Sequence, residues 1–314
     1  MDLDAKRIGE ARAVLIAGPT ASGKSALALD LVEKLTRAGQ PAAIVNADSM
    51  QVYSVLRILT ARPDAGEMAR APHHLYGHVP AQERYSAGRW LDDVRGVLAG
   101  LEAAGHLPVL VGGTGLYFSA LTQGLAALPD IPAAIRQHWQ AEMVTQGPAA
   151  LHRLLAERDT AAAAAIGPGD RQRIVRALEV QEATGRSILA WQDVEAEPPL
   201  IDPAVTLRFV VEPDRAALYA AIERRFDAMV GAGALDEVAG LLALDLDPDL
   251  PVMKAIGVKA FADFLGKRIP LAQAIARAKT QSRQYAKRQM TWFRNQMADW
   301  ERLDPHEGDR RKRR

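Results

Sequence analysis

The stretch Gly18-Pro19-Thr20-Ala21-Ser22-Gly23-Lys24-Ser25 constrains this chain more than any other. It satisfies G-x-x-x-x-G-K-[ST], with an apolar run, AVLIAG, leading into it and an amphipathic run, SALALDLVEKL, following it. A strand that turns sharply into a helix at such a sequence wraps successive backbone N–H groups around phosphate oxygens. The helix N-terminus adds its partial positive charge. Gly18 to Ser25 are therefore the expected phosphate-binding residues. Lys24 should reach the outer phosphate, and the Ser25 hydroxyl should ligate Mg2+.

The remaining chain fits the fold that this loop demands. Short apolar runs at Ala13–Ala17, Ala42–Ala47, Leu107–Val111 and Val205–Val211 read as strands covered on both faces. Helical patterns lie between them at Lys24–Ala38, Ser86–Ala104 and Arg215–Val230. The alternation predicts an α/β fold, a P-loop NTPase-like parallel sheet wrapped by helices. Asp130–Pro199 breaks the rhythm, being rich in Ala, Arg, Gln and Glu, without a strand-like run, and bounded by proline-marked hinges. The expected organisation is a P-loop core over residues 1–125, a helical insertion over 126–202, and completion of the core with a basic helical region over 203–300. A basic tail at 301–314 is expected to be disordered.

Several classes of protein are disfavoured. The hydrophobic and charged fractions, 48% and 25%, argue against wholesale disorder. No apolar run approaches the roughly 20 residues needed to span a bilayer, and the first apolar stretch reads as a strand and not as a secretory signal. With no cysteine, thiolate zinc sites, disulfides and cysteine nucleophiles are out. A cytoplasmic monomer without membrane contact is the expectation.

A phosphate loop does not identify its ester. ATPases and GTPases usually hold their metal through a second acid at the end of a neighbouring apolar strand. Here the most apolar strand, LPVLVGG, ends in glycines, and the acid stands instead after the second strand, at Asp48. Ligands of open α/β sheets collect at the carboxyl edge of the strands, so Asp48 should face whatever reacts at the loop. Charge adds a second clue. Lys267 to Ala298 holds eight Lys or Arg and no Asp or Glu, whereas residues 1–266 carry a net charge of about −8. That asymmetry suits a polyanion docking on the C-terminal part.

Ordered landmarks then bring a family into view: GPTASGKS (18–25), NADSMQVY (46–53), TARP (60–63), HHL (73–75) and YSAGRWLDDV (85–94), then LVGGTGLYFSAL (110–121), DRQRIVRALEV (170–180), TGRSI (184–188), IERRFDAMVGAGALDEV (222–238), MKAIGVKAF (253–261) and YAKRQMTWFRNQ (285–296). In this order the chain resembles the tRNA dimethylallyltransferases, or tRNA isopentenyltransferases. It departs from their pattern at Leu59, where glycine usually precedes TA[KR]P, and at Val258, where an aromatic often follows IG. Its lack of cysteine resembles the bacterial form, since eukaryotic members commonly append a zinc finger.

The resemblance implies transfer of a dimethylallyl group from dimethylallyl diphosphate to N6 of the adenosine 3′ of the anticodon in tRNA. It implies Asp48 as general base, with Thr114, Arg225 and Lys24 acting around the leaving diphosphate; sequence leaves open whether Arg224 or Arg225 turns inward. It also implies contacts with the tRNA anticodon stem-loop from Asp48, Ser49, Met50 and Gln51, from Arg136, Gln172, Arg173 and Arg176, and from Lys254 and Lys259. The target base must be flipped out of its stack to be reached. On the C-terminal helix, Lys279, Arg283, Lys287 and Arg294 project to one side, Tyr285, Trp292 and Phe293 to the other. The basic side, with Arg288, is the expected phosphate-backbone contact and the aromatic side the expected core contact. Rival readings are a P-loop small-molecule kinase, an adenylate isopentenyltransferase and an RNA-binding module with a vestigial phosphate loop. The insertion is expected to close over the anticodon loop.

Overall fold

The structure, a computed structural model, describes residues 8, 10–126, 130–192 and 198–305. The chain divides into two compact units, Met1–Thr122 with Leu200–Arg314, and Gln123–Pro199.

The larger unit is built on six parallel strands: β1 (Ala13–Ala17), β2 (Ala42–Asn46), β3 (His73–His74), β4 (Leu107–Gly112), β5 (Thr206–Val211) and β6 (Glu301–Leu303). Their spatial order is β3-β2-β4-β1-β5-β6. Every residue of β1, β2 and β4 is buried, which is why these strands read as unbroken apolar runs. Helix α1 (Lys24–Arg37) lays Ala28, Leu29, Leu31, Val32 and Leu35 on the sheet at helical spacing. It is followed by α2 (Ala65–Arg70), α3 (Ala87–Ala103) and α4 (Gly115–Gln123).

Two strands escape the sequence reading. β3 is two half-buried histidines without apolar pattern. β6 lies in the segment expected to be a disordered tail; that expectation fails for residues 301–303. Glu301, Arg302 and Leu303 pair in parallel with Phe209, Val210 and Val211, and Leu303 is buried. Arg302 ties the strand down by donating to the carbonyls of Phe293 and Met297. Residues 306–314 of that tail lie outside the described residues. β5 also starts one residue later than expected, because Pro203–Val205 form a 3-10 turn whose Asp202 side chain accepts from Ala204 N.

The smaller unit is helical: α5 (Ala133–Gln146), α6 (Pro148–Arg158), α7 (Thr160–Ala165), α8 (Arg171–Thr184) and α9 (Ile188–Gln192). Its own core gathers Trp139, Met143, Leu151, Leu155, Ile174 and Leu178. Asp159 and Asp170 cap α7 and α8, and Gly185, left-handed at φ 68°, closes α8.

Returning to the larger unit, the chain forms α10 (Arg215–Gly231), α11 (Ala234–Leu242), α12 (Val258–Leu265) and α13 (Leu271–Gln296). The buried stripe of α13 is Ala274, Ala278, Ser282, Ala286, Gln289 and Phe293. Small side chains at this spacing let α13 approach α10 and α12 closely.

Candidate active site

Three loops meet at the carboxyl edge of the adjacent strands β1, β4 and β2. Gly18 N donates to Gly112 O (3.2 Å), Ala47 N to Val111 O (2.8 Å) and Thr114 N to Ala47 O (3.2 Å). This knits the phosphate loop, the Asn46–Gln51 loop and the Gly112–Thr114 turn into one frame.

The phosphate loop ends at α1 without a side-chain cap and without an acid in the first turn. Helices α3, α8 and α10 have their first N–H groups satisfied by Ser86, Asp170 and Asp214. The uncapped N-terminus of α1 therefore keeps its donors and its partial charge for an anion. Gly23 (φ 85°) and Ala21 (φ 63°) both adopt left-handed backbone to make the loop.

The cations around the loop are desolvated. Lys24 is 8% exposed and donates to Pro19 O at 3.2 Å. Burial lowers its pKa to about 8, with Asp48 pulling it back up and Arg225 pushing it further down. Arg225, on α10, donates to the Thr20 hydroxyl and lines the cleft, whereas Arg224 beside it is exposed. The choice that sequence left open falls on Arg225. Burial depresses its pKa too, against the pull of Asp48.

Asp48 is fixed by its neighbours. The buried Asn46 amide spans its backbone, accepting from Asp48 N (2.9 Å) and donating to Asp48 O (3.0 Å). One carboxylate oxygen, Oδ1, accepts from Met50 N at 3.0 Å. Among the described residues nothing donates to Oδ2, and Asp48 lines the same cleft as Lys24 and Arg225. Thr114 sits alongside, its hydroxyl accepting from Ser49 N (2.9 Å) and lying 3.2 Å from Ser49 Oγ. The Thr114 hydroxyl is engaged with the Asp48 loop.

The cleft encloses about 540 Å3 and runs from Thr20–Ala26 past Asp48 and Gln51 to Arg57, Arg62, Arg225 and Met229. Gln51 donates to the carbonyls of Thr60 and Ala61, which fixes it against the far wall. That wall is held by Glu237 of α11, whose carboxylate accepts from Arg57 N (2.6 Å), Ile58 N (2.8 Å) and Leu59 N (2.8 Å).

The expected tRNA contacts divide into free and engaged groups. Lys287, Arg288 and Arg294 are exposed on α13, with Arg288 over the Tyr285 ring. Lys279 and Arg283, expected on the same open stripe, instead pair with Asp227 (2.7 Å) and Glu223 (2.8 Å) of α10. Those two cations staple the helices together. The aromatic side is also only partly core. Phe293 is 1% exposed, but Trp292 packs its indole on Gly115, where an added Cβ would lie 2.1 Å from Nε1. Tyr285 is partly buried, its phenol pKa raised by burial and by Asp48. Lys254 pairs with Asp249 (3.2 Å), and Lys259 is exposed. In the smaller unit Gln172 and Arg173 are exposed, Arg173 beside Asp170, while Arg176 pairs with Glu179 and Arg136 donates to Ile131 O.

Sequence reasoning missed three residues that build the site: Asn46, Glu237 and Gln289. Gln289 carries a recognisable signal, an amide in a stripe otherwise made of small and apolar residues. Glu237 carries none, because the N–H groups it satisfies lie about 180 residues away.

The model of the family described as IPP transferase matches residues 51–296. The chain belongs to the IPP transferase family. It is 56% identical over 301 residues to the tRNA dimethylallyltransferase of Mesorhizobium japonicum, covering 95% of this chain and 92% of that one. It is 53% identical over 294 residues to the tRNA dimethylallyltransferase of Agrobacterium fabrum, covering 93% and 97%. Among solved structures it is similar to the full-length tRNA isopentenylpyrophosphate transferase from Bacillus halodurans, with TM-score 0.65 and 35% identity over 93% of this chain and 89% of that one. It is also similar to a eukaryotic dimethylallyltransferase acting on tRNA, with TM-score 0.75 and 27% identity over 93% and 73%. This member of the IPP transferase family thus has relatives across most of its length. Among its described residues no helix is long and apolar enough to cross a membrane.

Proposed function

We propose that this chain transfers a dimethylallyl group from dimethylallyl diphosphate to N6 of the adenosine 3′ of the anticodon in tRNA. The observation that carries the reading is a cleft shared by an uncapped phosphate nest and a carboxylate oxygen, Asp48 Oδ2, with no protein donor. The names and coverage of the relatives point the same way. A kinase reading lacks a metal-holding acid at the end of β4, which closes in Gly112 and Gly113.

An adenine amine is a weak nucleophile because its lone pair is delocalised into the ring. The N6–C1 bond forms as the C1–O bond to diphosphate breaks, and the N6 proton passes to Asp48 Oδ2. Negative charge grows on the bridging oxygen. Lys24, Arg225 and the N–H groups of Gly23, Lys24 and Ser25 line that region and would need little reorganisation, whereas Thr20 N and Ser22 N are engaged within the protein. Thr114 exchanges its link to Ser49 Oγ for the bridging oxygen when the donor is bound.

The described residues hold no cluster of three or more His, Cys, Asp or Glu that could form a metal cage. A lone hydroxyl beside a phosphate loop suits Mg2+, which keeps several waters and takes substrate phosphates as ligands. Ser25, exposed on the cleft floor, would hold it with the diphosphate. When bound, the ion would neutralise charge on the leaving group. The anticodon stem-loop is read by Lys287, Arg288 and Arg294 through its phosphates and by the Asp48–Gln51 loop at the base. Gln172 and Arg173 supply contacts from the smaller unit.

The deciding experiment offers radiolabelled dimethylallyl diphosphate with Mg2+ to unmodified tRNA and to AMP separately, with ATP as competitor. Label in tRNA alone, unaffected by millimolar ATP, is the expected result. Label in AMP would assign the chain to adenylate isopentenyl transfer, and no transfer would remove the reading. Added tRNA should also slow backbone hydrogen exchange in residues 130–192. Unchanged exchange there would reject closure of the insertion over the anticodon loop.

A further inference from the structure

Gln289 lies at the centre of the frame that the three loops form. It stands on α13 and is 5% exposed. Its Oε1 accepts from Thr20 N at 2.9 Å, and its Nε2 donates to Gly113 O at 2.8 Å. Both partners carry the expected chemistry. Thr20 belongs to the phosphate nest and receives Arg225 on its hydroxyl. Gly113 lies between β4 and Thr114, and a Cβ added to it would come 2.3 Å from Gln289 Nε2, 3.4 Å from Asp48 Oδ2 and 3.4 Å from Gly18 O. A single amide therefore spans the gap between the phosphate nest and the turn that carries Thr114, and Thr114 N in turn donates to Ala47 O of the Asp48 loop.

We propose that Gln289 is a positioning residue which sets the distance between the phosphate nest and the Asp48–Thr114 side of the cleft. The proposal rests on the transfer reaction above. A buried amide with donor and acceptor both satisfied is directional in a way that an apolar contact is not. Methionine at this position would fill the same volume and keep the stripe of α13 packed, yet leave Thr20 N and Gly113 O without their partner. The glycine opposite is explained by the same arrangement, because any side chain at Gly113 would strike the amide. A displacement of the nest by about 1 Å is enough to cost on the order of 10²-fold in rate, since alkyl transfer requires nitrogen, carbon and leaving oxygen to be aligned.

The test compares Gln289→Met and Gly113→Ala, singly and together. Readouts are the single-turnover rate with saturating tRNA and donor, the affinity for inorganic diphosphate with Mg2+, the affinity for tRNA, and Tm. Each single variant should lose on the order of 10²-fold in single-turnover rate and about tenfold in diphosphate affinity. Their tRNA affinity should stay within about threefold, because the exposed cations of α13 are untouched. The double variant should be no worse than either single one, since both break the same link. Gln289→Glu keeps the acceptor for Thr20 N and loses the donor to Gly113 O. It carries the comparison if Gln289→Met does not fold. A rate and diphosphate affinity within twofold of the parent, additive losses, or losses that track a fall in Tm and in tRNA affinity alike would overturn the proposal. Diphosphate binding needs neither tRNA nor transfer. A parent protein that binds diphosphate but labels no tRNA would therefore discard the assigned reaction, while the binding comparison still decides the role of Gln289.

Discussion

Replacing Asp48 by alanine is expected to lower the rate of the chemical step by roughly 10²–10⁴, with tRNA affinity unchanged to within a few-fold. The separation follows from how Asp48 is held. Its backbone is positioned by Asn46 and its Oδ1 by Met50 N, so the loop has supports that do not depend on Oδ2. Removing the carboxylate deletes the proposed proton acceptor and leaves the exposed cations of α13, proposed to hold tRNA phosphates, untouched. Asp48→Asn is the sharper variant, because the amide oxygen can still accept from Met50 N while the group can no longer take a proton. It should be as slow as alanine in single turnover and bind tRNA at least as well. A large loss of tRNA binding with normal single-turnover chemistry would reassign Asp48 to recognition of the base.

The parts of the molecule that sequence revealed are those whose causes are local. β1, β2 and β4 are buried on both faces, so each is a continuous apolar run that needs no knowledge of its neighbours. The phosphate loop is local too, since its glycines, Lys24 and Ser25 act within eight positions. β6 was misread because its membership of the sheet rests on pairing with β5 some 90 residues earlier, and only Leu303 of its three residues is buried. The same limit governs the basic helix. Projection of α13 places Lys279, Arg283, Lys287 and Arg294 on one side, and that is correct as geometry. It cannot show that α10 brings Asp227 and Glu223 against the first two. Gln289 and Glu237 are the extreme case, because their partners are set by tertiary contact alone. Lys24, Asp48 and Arg225, which the sequence singled out, line one cleft; the groups that hold them in place were largely not legible.

Lys24 gives the strongest dependence on pH. Burial lowers its pKa to about 8 in the ligand-free protein, so its ammonium is present below that pH and lost above it. Only the charged form can complete the proposed diphosphate site. The donor kcat/KM should therefore fall by about tenfold per unit as pH rises from 8 towards 10. At saturating donor, kcat should be flatter, because the bound anion holds the ammonium protonated. Lys24→Met should lower kcat/KM for the donor at pH 7 by on the order of 10²–10³ and abolish the alkaline limb. An alkaline limb that survives the substitution would place the titrating group elsewhere. The stability consequence has the opposite sign to the functional one. The folded pKa lies below the ordinary lysine value of 10.5, so between about 8 and 10.5 the folded state binds fewer protons than the unfolded chain. Stability from this group therefore rises with pH across that window, and below about 8 the buried ammonium costs its full amount, about 3 kcal/mol. Lys24→Met relieves that cost, so the ligand-free variant should melt several degrees above its parent at pH 7. Diphosphate should raise the Tm of the parent more than that of the variant. A buried ammonium whose hydrogen-bond partner among the described residues is Pro19 O suits a site proposed to bind an anion, and there loss of function and gain of stability should appear in the same substitution.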